Sequence, residues 1–278
     1  MGVHKFTKGR LIAYIVMAVY AVISIYPLVW LFFYSFKTNE EIFVTNPFGL
    51  PKSWALTNYT AALERLNILV YFKNSLIVSV CTIALTLITS LMFCYVVARA
   101  QNKLTRFFQS LVNSGLFIPI QAVMIPLVIL VHKFGMTNSL LSVIIPYTAL
   151  SLPTACIVLY GFYLSIPIAL EESAYMDGAN FGRTYFSIIL PQMKSPVFVL
   201  IIYTFIYTWN ELSLAMVLLT KDINKTLPLG LAAFNGAHST DWGVIGAALC
   251  IACGPMLIIY LFFSNQITDA MASSGVKG

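Results

Sequence analysis

Charged residues are scarce in this 278-residue chain. They occupy 9% of positions, whereas soluble domains carry about 25%. Hydrophobic residues make up 59% of the chain, and the mean hydropathy is +0.86. This composition excludes an ordinary soluble domain and predicts an integral membrane protein.

Several motifs and residue types are also missing. The three histidines, His4, His132 and His238, lie in flanks or loops without metal-ligand spacing. No Gly-x-x-x-x-Gly-Lys-Ser/Thr loop occurs, so any ATP that the protein uses must be bound by another chain. No internal repeat is visible, which disfavours a secondary transporter built from inverted halves.

The cysteines are few and fall inside apolar stretches. Cys250 and Cys253 form a C-x-x-C pair, but no second pair or nearby histidine accompanies it. A zinc or redox site is therefore a weaker interpretation than side-chain packing within the membrane. The same packing role is expected for Cys81, Cys94 and Cys156.

Long apolar runs predict six transmembrane helices, because a spanning helix needs about 20 apolar residues. A basic leader before the first run would also fit a cleaved signal peptide, but signal cores are only about 7 to 15 residues long. The first run is therefore expected to stay as an anchor. The predicted spans are residues 11–36, 74–98, 107–132, 140–164, 195–220 and 242–268.

Basic residues predict the orientation, since Lys and Arg near short loops stay on the cytoplasmic side. They precede the first span and also lie between the second and third, as Arg99, Lys103 and Arg106. Both termini are then cytoplasmic, and this topology accounts for the net charge of +6 without a nucleic-acid partner. The predicted regions are 1–36 (cytoplasmic N-terminus and first helix), 37–71 (extracytoplasmic loop with a short helix in 54–66), 72–266 (five-helix core) and 267–278 (cytoplasmic tail).

A segment of mixed polarity, residues 166–196, interrupts the apolar pattern. Three of the chain's ten acidic residues lie there, at Glu171, Glu172 and Asp177. The pattern predicts two short helices joined at Gly178, where the absence of Cβ would let another backbone approach closely. An ordinary cytoplasmic loop and a protein-docking surface both fit this pattern.

Prolines mark the limits of these two helices. Pro167 suits the first turn of a helix, because its missing N–H has no partner there. In the second helix an apolar face recurs at Phe181, Tyr185, Ile188 and Ile189. Pro191 and Pro196 are expected to close that helix before the fifth span.

The segment resembles the EAA signature of importer-type ABC transporter permeases. The matching order is Glu172-Ser173-Ala174, three residues, Gly178, nine residues, Ile188, one residue and Leu190-Pro191, with Ser173 in place of the usual alanine. Other stretches are similar to the carbohydrate-importing, maltose-permease-G-like branch. They are Ile118-Pro119, Ile125-Pro126, Leu152-Pro153, Gly161-Phe162, Ser165-Ile166-Pro167, Trp209-Asn210-Glu211, Thr226 to Leu231, Asp241-Trp242-Gly243 and the terminal Gly275 to Gly278.

This resemblance implies an all-α polytopic fold, the type I ABC importer permease fold, in which the segment is a coupling helix received by a cytoplasmic ATPase. The implied ATPase-coupling residues are Glu171, Glu172, Ser173, Ala174, Asp177, Gly178, Ala179, Ile188, Leu190 and Pro191. The implied ATPase-contacting tail is Ser274, Gly275, Val276, Lys277 and Gly278.

The resemblance also implies partners and a location. The partners are a second homologous permease subunit in a heterodimer, two ATPase subunits or domains, and an extracytoplasmic sugar-binding protein. This chain itself is expected to bind no cofactor and to do no catalysis, with ATP and Mg held by the ATPase. The expected location is the cell membrane of a bacterium or archaeon.

A few polar residues within the spans are candidates for a substrate pathway. Glu211 is the one acid inside a span, and with Trp209 and Asn210 it offers a stacking face and polar groups that suit sugar hydroxyls. The alternative for Glu211, which the sequence favours slightly, is a structural hydrogen bond to a neighbouring helix near the outer interface. Asn113 and Gln121 could line the pathway or join helices by hydrogen bonds.

Two other functions remain open on the sequence. An ion-coupled secondary transporter would normally carry several ionisable residues within the membrane, and Glu211 alone is a poor supply. A membrane-embedded enzyme would need a cluster of His, Asp or Ser in one plane. No such cluster is visible in the sequence.

Overall fold

The computed structural model describes residues 8–65, 67–234 and 241–275, and every regular element in these ranges is helical. Short π or 3-10 turns lie at Glu41–Thr45, Gly115–Phe117, Tyr185–Ile189, Leu190–Met193 and Asp222–Asn224. The α-helices are α1 (Lys8–Tyr34), α2 (Thr57–Arg65), α3 (Ile68–Ala100), α4 (Lys103–Ser114), α5 (Ile120–Lys133), α6 (Leu141–Ser165), α7 (Ala169–Met176), α8 (Phe181–Thr184), α9 (Lys194–Asn210), α10 (Ser213–Leu218), α11 (Leu227–Phe234) and α12 (Trp242–Gly275).

Within the described ranges, five helical stretches are long and apolar enough to cross a membrane, and the number rises to six if a bent pair of helices is counted as one span. The short helix expected in 54–66 is present as α2. The five stretches are Gly9–Tyr34, Ile68–Ala100, Leu141–Ser165, Phe181–Asn210 and Trp242–Phe263.

The third predicted span is not one helix. Lys103–Phe117 and Ile120–Lys133 meet at 108°. Ile118 is extended, with φ −90° and ψ 111°, because a following proline disfavours the helical conformation. Pro119 then precedes the first turn of α5. The prediction of a continuous helix over 107–132 is therefore wrong.

The fifth span begins and ends earlier than predicted. Pro191 lies at the start of the 3-10 turn Leu190–Met193, and Pro196 lies in the first turn of α9. Neither proline closes a helix, because the backbone N–H lacks an intrahelical partner at these positions. The helical run Phe181–Asn210 passes through both. It stops at Glu211, which is extended, and residues 213–218 form the separate helix α10.

The chain comprises two compact units, the first containing residues up to Ile68 together with Leu231–Gly254. This unit contains the loop that the sequence predicts to be extracytoplasmic. Side chains that donate hydrogen bonds to backbone carbonyls stabilise it. Asn58 Nδ2 donates to the carbonyls of Ser35 (2.9 Å) and Lys37 (3.0 Å). Lys37 is fully buried, and its Nζ donates to the carbonyl of Asn46 at 2.6 Å.

The second unit, Leu69–Gly230 with Pro255–Gly278, holds two apolar cores. One core includes Cys94, Tyr95 and Cys156 together with Tyr163 and Ile189. The other core packs α3, α5, α6 and α10 around Val78, Val131, Val143, Tyr147 and Leu214. Small hydroxyl residues follow one face of α3 and let neighbouring helices approach closely. They are Ser75, Ser79, Thr82, Thr86 and Ser90.

Candidate functional site

A sharp corner joins α6 to α7. Ile166 is extended, with φ −80° and ψ 119°, because Pro167 follows it. Helical hydrogen bonding then resumes at once, with the amide of Leu170 donating to the carbonyl of Pro167 at 3.2 Å. Glu171 and Glu172 lie in the first turn of α7, where acidic side chains stabilise the positive end of the helix dipole.

Gly178 forms the bend between α7 and α8. Its φ is +80°, and a Cβ built on it would meet nothing within 4 Å. The left-handed backbone therefore requires the glycine, and the space beside it is open to a partner. Asn180 then caps α8 by accepting a hydrogen bond from the amide of Arg183 at 2.9 Å. Two short helices joined at Gly178 are thus present, as the sequence predicts.

The two faces of α7 have different environments. Ala174 is buried, whereas Glu172, Ser173 and Asp177 are exposed and Met176 is 88% exposed. The Ser173 hydroxyl donates to the carbonyl of Ala169 at 2.8 Å, so this serine is accommodated within the helix. Gly178 continues the exposed face, and Ala179 is half-buried.

Glu171 points to the buried side. Its Oε2 accepts a hydrogen bond from the hydroxyl of Tyr95 at 2.8 Å, and its Oε1 accepts one from Arg99 Nε at 2.5 Å. The resemblance assigned Glu171 to the surface that contacts an ATPase, whereas the structure places its carboxylate inside this chain. Sequence reasoning used Arg99 only to orient the helices and missed this pairing.

The second half of the segment is anchored in the core. Tyr185 and Ile189 are buried, Ile188 and Leu190 are half-buried, and Pro191 is exposed. Phe181, which the sequence predicts on the same apolar face, is instead 58% exposed. The Ile188 and Leu190 side chains pack against the core around Tyr163 and Ile189. They therefore anchor the segment in the core rather than expose it to a partner protein.

The proposed pathway residues lie in different surroundings. Trp209 is buried, stacked on Phe205 at 5.1 Å with an interplanar angle of 19°. Asn210 is exposed, and its amide donates to the carbonyl of Ile206 at 2.8 Å. Asn113 and Gln121 lie on opposite sides of the 108° bend, in α4 and α5. The four side chains remain candidates for the pathway.

Glu211 is buried and occupies the break between α9 and α10. Its Oε1 accepts from the amide of Leu214 at 2.9 Å, and its Oε2 accepts from the amide of Ala215 at 3.3 Å. The Tyr147 hydroxyl also donates to Oε2. Glu211 thus caps α10 and joins it to α6. This geometry matches the structural alternative, and the pathway role stays a prediction.

The predicted ATPase-contacting tail is described only at its start. Ser274 and Gly275 form the last residues of α12. Val276, Lys277 and Gly278 lie outside the described residues. The helix therefore extends through most of the region that the sequence assigned to a tail beginning at residue 267.

Comparison with known proteins shows extensive similarity. Residues 90–272 match the model for the "binding-protein-dependent transport system inner membrane component" family. The chain is 35% identical to a putative ABC transporter permease of Caldicellulosiruptor sp., covering 95% of this chain and 96% of that protein. It is 31% identical to the NgcG permease of a diacetylchitobiose uptake system in Streptomyces coelicolor, covering 94% and 87% respectively.

Among solved structures, the chain resembles a subunit of a bacterial ABC transporter involved in import of the acidic polysaccharide alginate. The TM-score is 0.81 at 19% identity, covering 94% of this chain and 99% of the other. This match confirms the predicted fold. None of these comparisons supports the alternative of an ion-coupled secondary transporter.

Proposed function

Because this chain belongs to the family of binding-protein-dependent transport system inner membrane components, we propose that it is the permease subunit of an ATP-driven importer for a sugar or oligosaccharide. Members of this family are transport permeases and not catalytic subunits. The diacetylchitobiose permease and the alginate importer support a carbohydrate substrate. ATP and Mg would be bound by a separate ATPase.

The coupling surface is the exposed side of α7 and the bend that follows it. The observation that carries this assignment is the 88% exposure of Met176 at the end of a helix that also exposes Glu172 and is followed by the exposed Asp177. A large apolar side chain among charges suits a protein interface better than lipid. An ATPase cleft with basic or hydrogen-bonding groups would complement Glu172 and Asp177.

The remaining surfaces would serve other partners. A second homologous permease subunit would form the translocation path with this chain, and two ATPase subunits or domains would complete the complex. A sugar-binding protein would deliver substrate from outside the cell membrane. The basic residues Arg99, Lys103 and Arg106 between spans favour a cytoplasmic position for α7, α8 and both termini.

The chain terminus is a secondary contact in this proposal. The segment Ser274 to Gly278 would reach the ATPase, as its resemblance to maltose-type tails implies. Truncation from Ser273 onward should then weaken attachment of the ATPase. Full co-purification of the ATPase with the truncated permease would count against this contact.

The function is tested with the purified complex in proteoliposomes. Uptake of candidate oligosaccharides should require ATP on the ATPase side and sugar-loaded binding protein on the other side. It should persist when ionophores collapse proton and sodium gradients. Uptake that follows an ion gradient and needs no ATP would contradict the proposal.

A further inference from the structure

Four hydrogen bonds converge on one buried ion pair at the corner between α6 and α7. The Arg99 and Glu171 side chains are 15% and 8% exposed. Arg99 Nε and the Tyr95 hydroxyl donate to the two carboxylate oxygens of Glu171. The other nitrogens of Arg99, Nη1 and Nη2, donate to the carbonyls of Tyr163 (3.1 Å) and Ile166 (3.2 Å). One guanidinium on α3 therefore holds the end of α6 and the start of α7.

The electrostatics of both helix ends favour this arrangement. The guanidinium lies at the C-terminal end of α6, where carbonyl groups concentrate negative charge, and Glu171 lies in the first turn of α7, where amides concentrate positive charge. A buried ion pair is tolerated only when its remaining donors and acceptors are also satisfied. Here each of the three guanidinium nitrogens and each of the two carboxylate oxygens has a hydrogen-bond partner, supplied by the pair itself, the carbonyls of Tyr163 and Ile166, and the Tyr95 hydroxyl.

The corner that the ion pair spans is short, with Ile166 buried and Pro167 and Ile168 exposed. Only Ile166, Pro167 and Ile168 separate α6 from α7, and Ile166 is extended. A joint of this length could act as a hinge, so that a displacement of α7 would be absorbed without moving the spans. Arg99 bridges the joint from a third helix and removes that freedom.

We propose that Arg99, through Glu171, is the positioning residue that makes α3, α6 and α7 move as one body. A displacement that the ATPase imposes on α7 is thereby passed to two membrane-spanning helices. This inference rests on the proposed function of α7 as the coupling surface. It assigns adjacent acids to different tasks, since Glu172 faces the partner and Glu171 faces the spans.

The direct test uses Arg99→Lys and Glu171→Gln in the full complex. Lysine cannot reproduce the fork of donors that reaches both Glu171 and the carbonyls, and glutamine removes the charge. Both variants should retain the ATPase at wild-type stoichiometry, because neither side chain lies on the exposed face. Sugar taken up per ATP hydrolysed should fall about tenfold, within the usual range of coupling between sites. Matched controls are Arg106→Lys and Glu64→Gln, two exposed positions, which should leave this ratio unchanged.

A double variant separates transmission from folding. Arg99→Met with Glu171→Met replaces the buried pair by apolar side chains, a change that many proteins tolerate. The double variant should assemble and retain the ATPase, with uptake per ATP still low because the carbonyls of α6 are no longer held. Wild-type uptake per ATP in the double variant or in both single variants would overturn the inference. Loss of the ATPase in all three would also overturn it, because Arg99 would then serve docking. Failure of ATP-driven uptake in the wild-type complex would instead contradict the proposed function.

Discussion

The hydroxyl of Tyr147 on α6 donates a hydrogen bond to the carboxylate of Glu211, the residue that follows the end of α9. Tyr147→Phe removes this donor and leaves a buried charge with one partner fewer. Because hydrogen bonds to charged groups contribute about 1.5 to 3 kcal/mol, we expect the free energy of unfolding to fall by that amount. Thermal unfolding in detergent measures it, with the exposed Tyr203→Phe as the control. Equal stability of the two variants would contradict this role of Tyr147.

Glu211→Gln separates the structural role of Glu211 from a role in the pathway. Glutamine keeps one oxygen for the amide of Leu214 but places an NH₂ group where a second oxygen accepts from Ala215. The variant should therefore be less stable, while the concentration of loaded binding protein that half-saturates uptake stays unchanged. A fall in uptake at unchanged thermal stability would instead place Glu211 in the substrate pathway.

Gly115, at the bend between α4 and α5, has no room for a side chain. A Cβ built there would come within 2.9 Å of Pro153 Cγ on α6. Gly115→Ala should therefore destabilise the protein by about 1 to 3 kcal/mol through overpacking. Gly161→Ala, on the same helix as Pro153, is the control, because the added Cβ would meet nothing within 4 Å. That control should be neutral or stabilising by about 0.5 to 1 kcal/mol, and the opposite order would refute the close contact.

Hydropathy predicts six spans, and the structure matches that number if the bent pair counts as one span. The course of the third and fifth spans was not predictable in this way. Pro119 breaks a helix, whereas Pro126 and Pro153 lie inside α5 and α6. Composition cannot distinguish these cases. The outcome depends on whether neighbouring groups can hydrogen-bond the carbonyl that the proline leaves unpaired, and on whether the backbone can avoid a clash with the proline ring. Before α9 the backbone adjusts through a π turn and a 3-10 turn, and the helical run continues past Pro191.

The coupling segment was located from the sequence, but the direction of its side chains was not. Glu171 and Glu172 are neighbours with the same chemistry, and the resemblance assigned both to the ATPase surface. Only Glu171 pairs with Arg99, whose Nε lies 2.5 Å from it although 72 residues separate the two in the chain. A single sequence carries no signal for that pairing.

Substitution of Gly178 should weaken ATPase binding because of the position of this residue, in addition to lowering stability because of its positive φ. Gly178→Leu places a large side chain on the open face and costs about 1 to 2 kcal/mol, since φ is positive. Gly135→Leu has the same backbone cost, with φ +67° and nothing within 4 Å of the added Cβ, but lies between α5 and α6. Both variants should lose similar stability, and only Gly178→Leu should lose the ATPase on purification. Equal retention of the ATPase would mean that the bend does not face it.

Site-specific cross-linking between this chain and the ATPase tests the docking of the ATPase at α7 most directly. Met176→Cys places a thiol at the 88% exposed position at the end of α7, and Phe48→Cys places one at a 79% exposed position in the predicted extracytoplasmic loop. With a short thiol–amine cross-linker, we expect a permease–ATPase adduct from Met176→Cys and none from Phe48→Cys or the unmodified chain. An adduct from Phe48→Cys, or none from Met176→Cys in an ATP-hydrolysing complex, would contradict docking of the ATPase at α7.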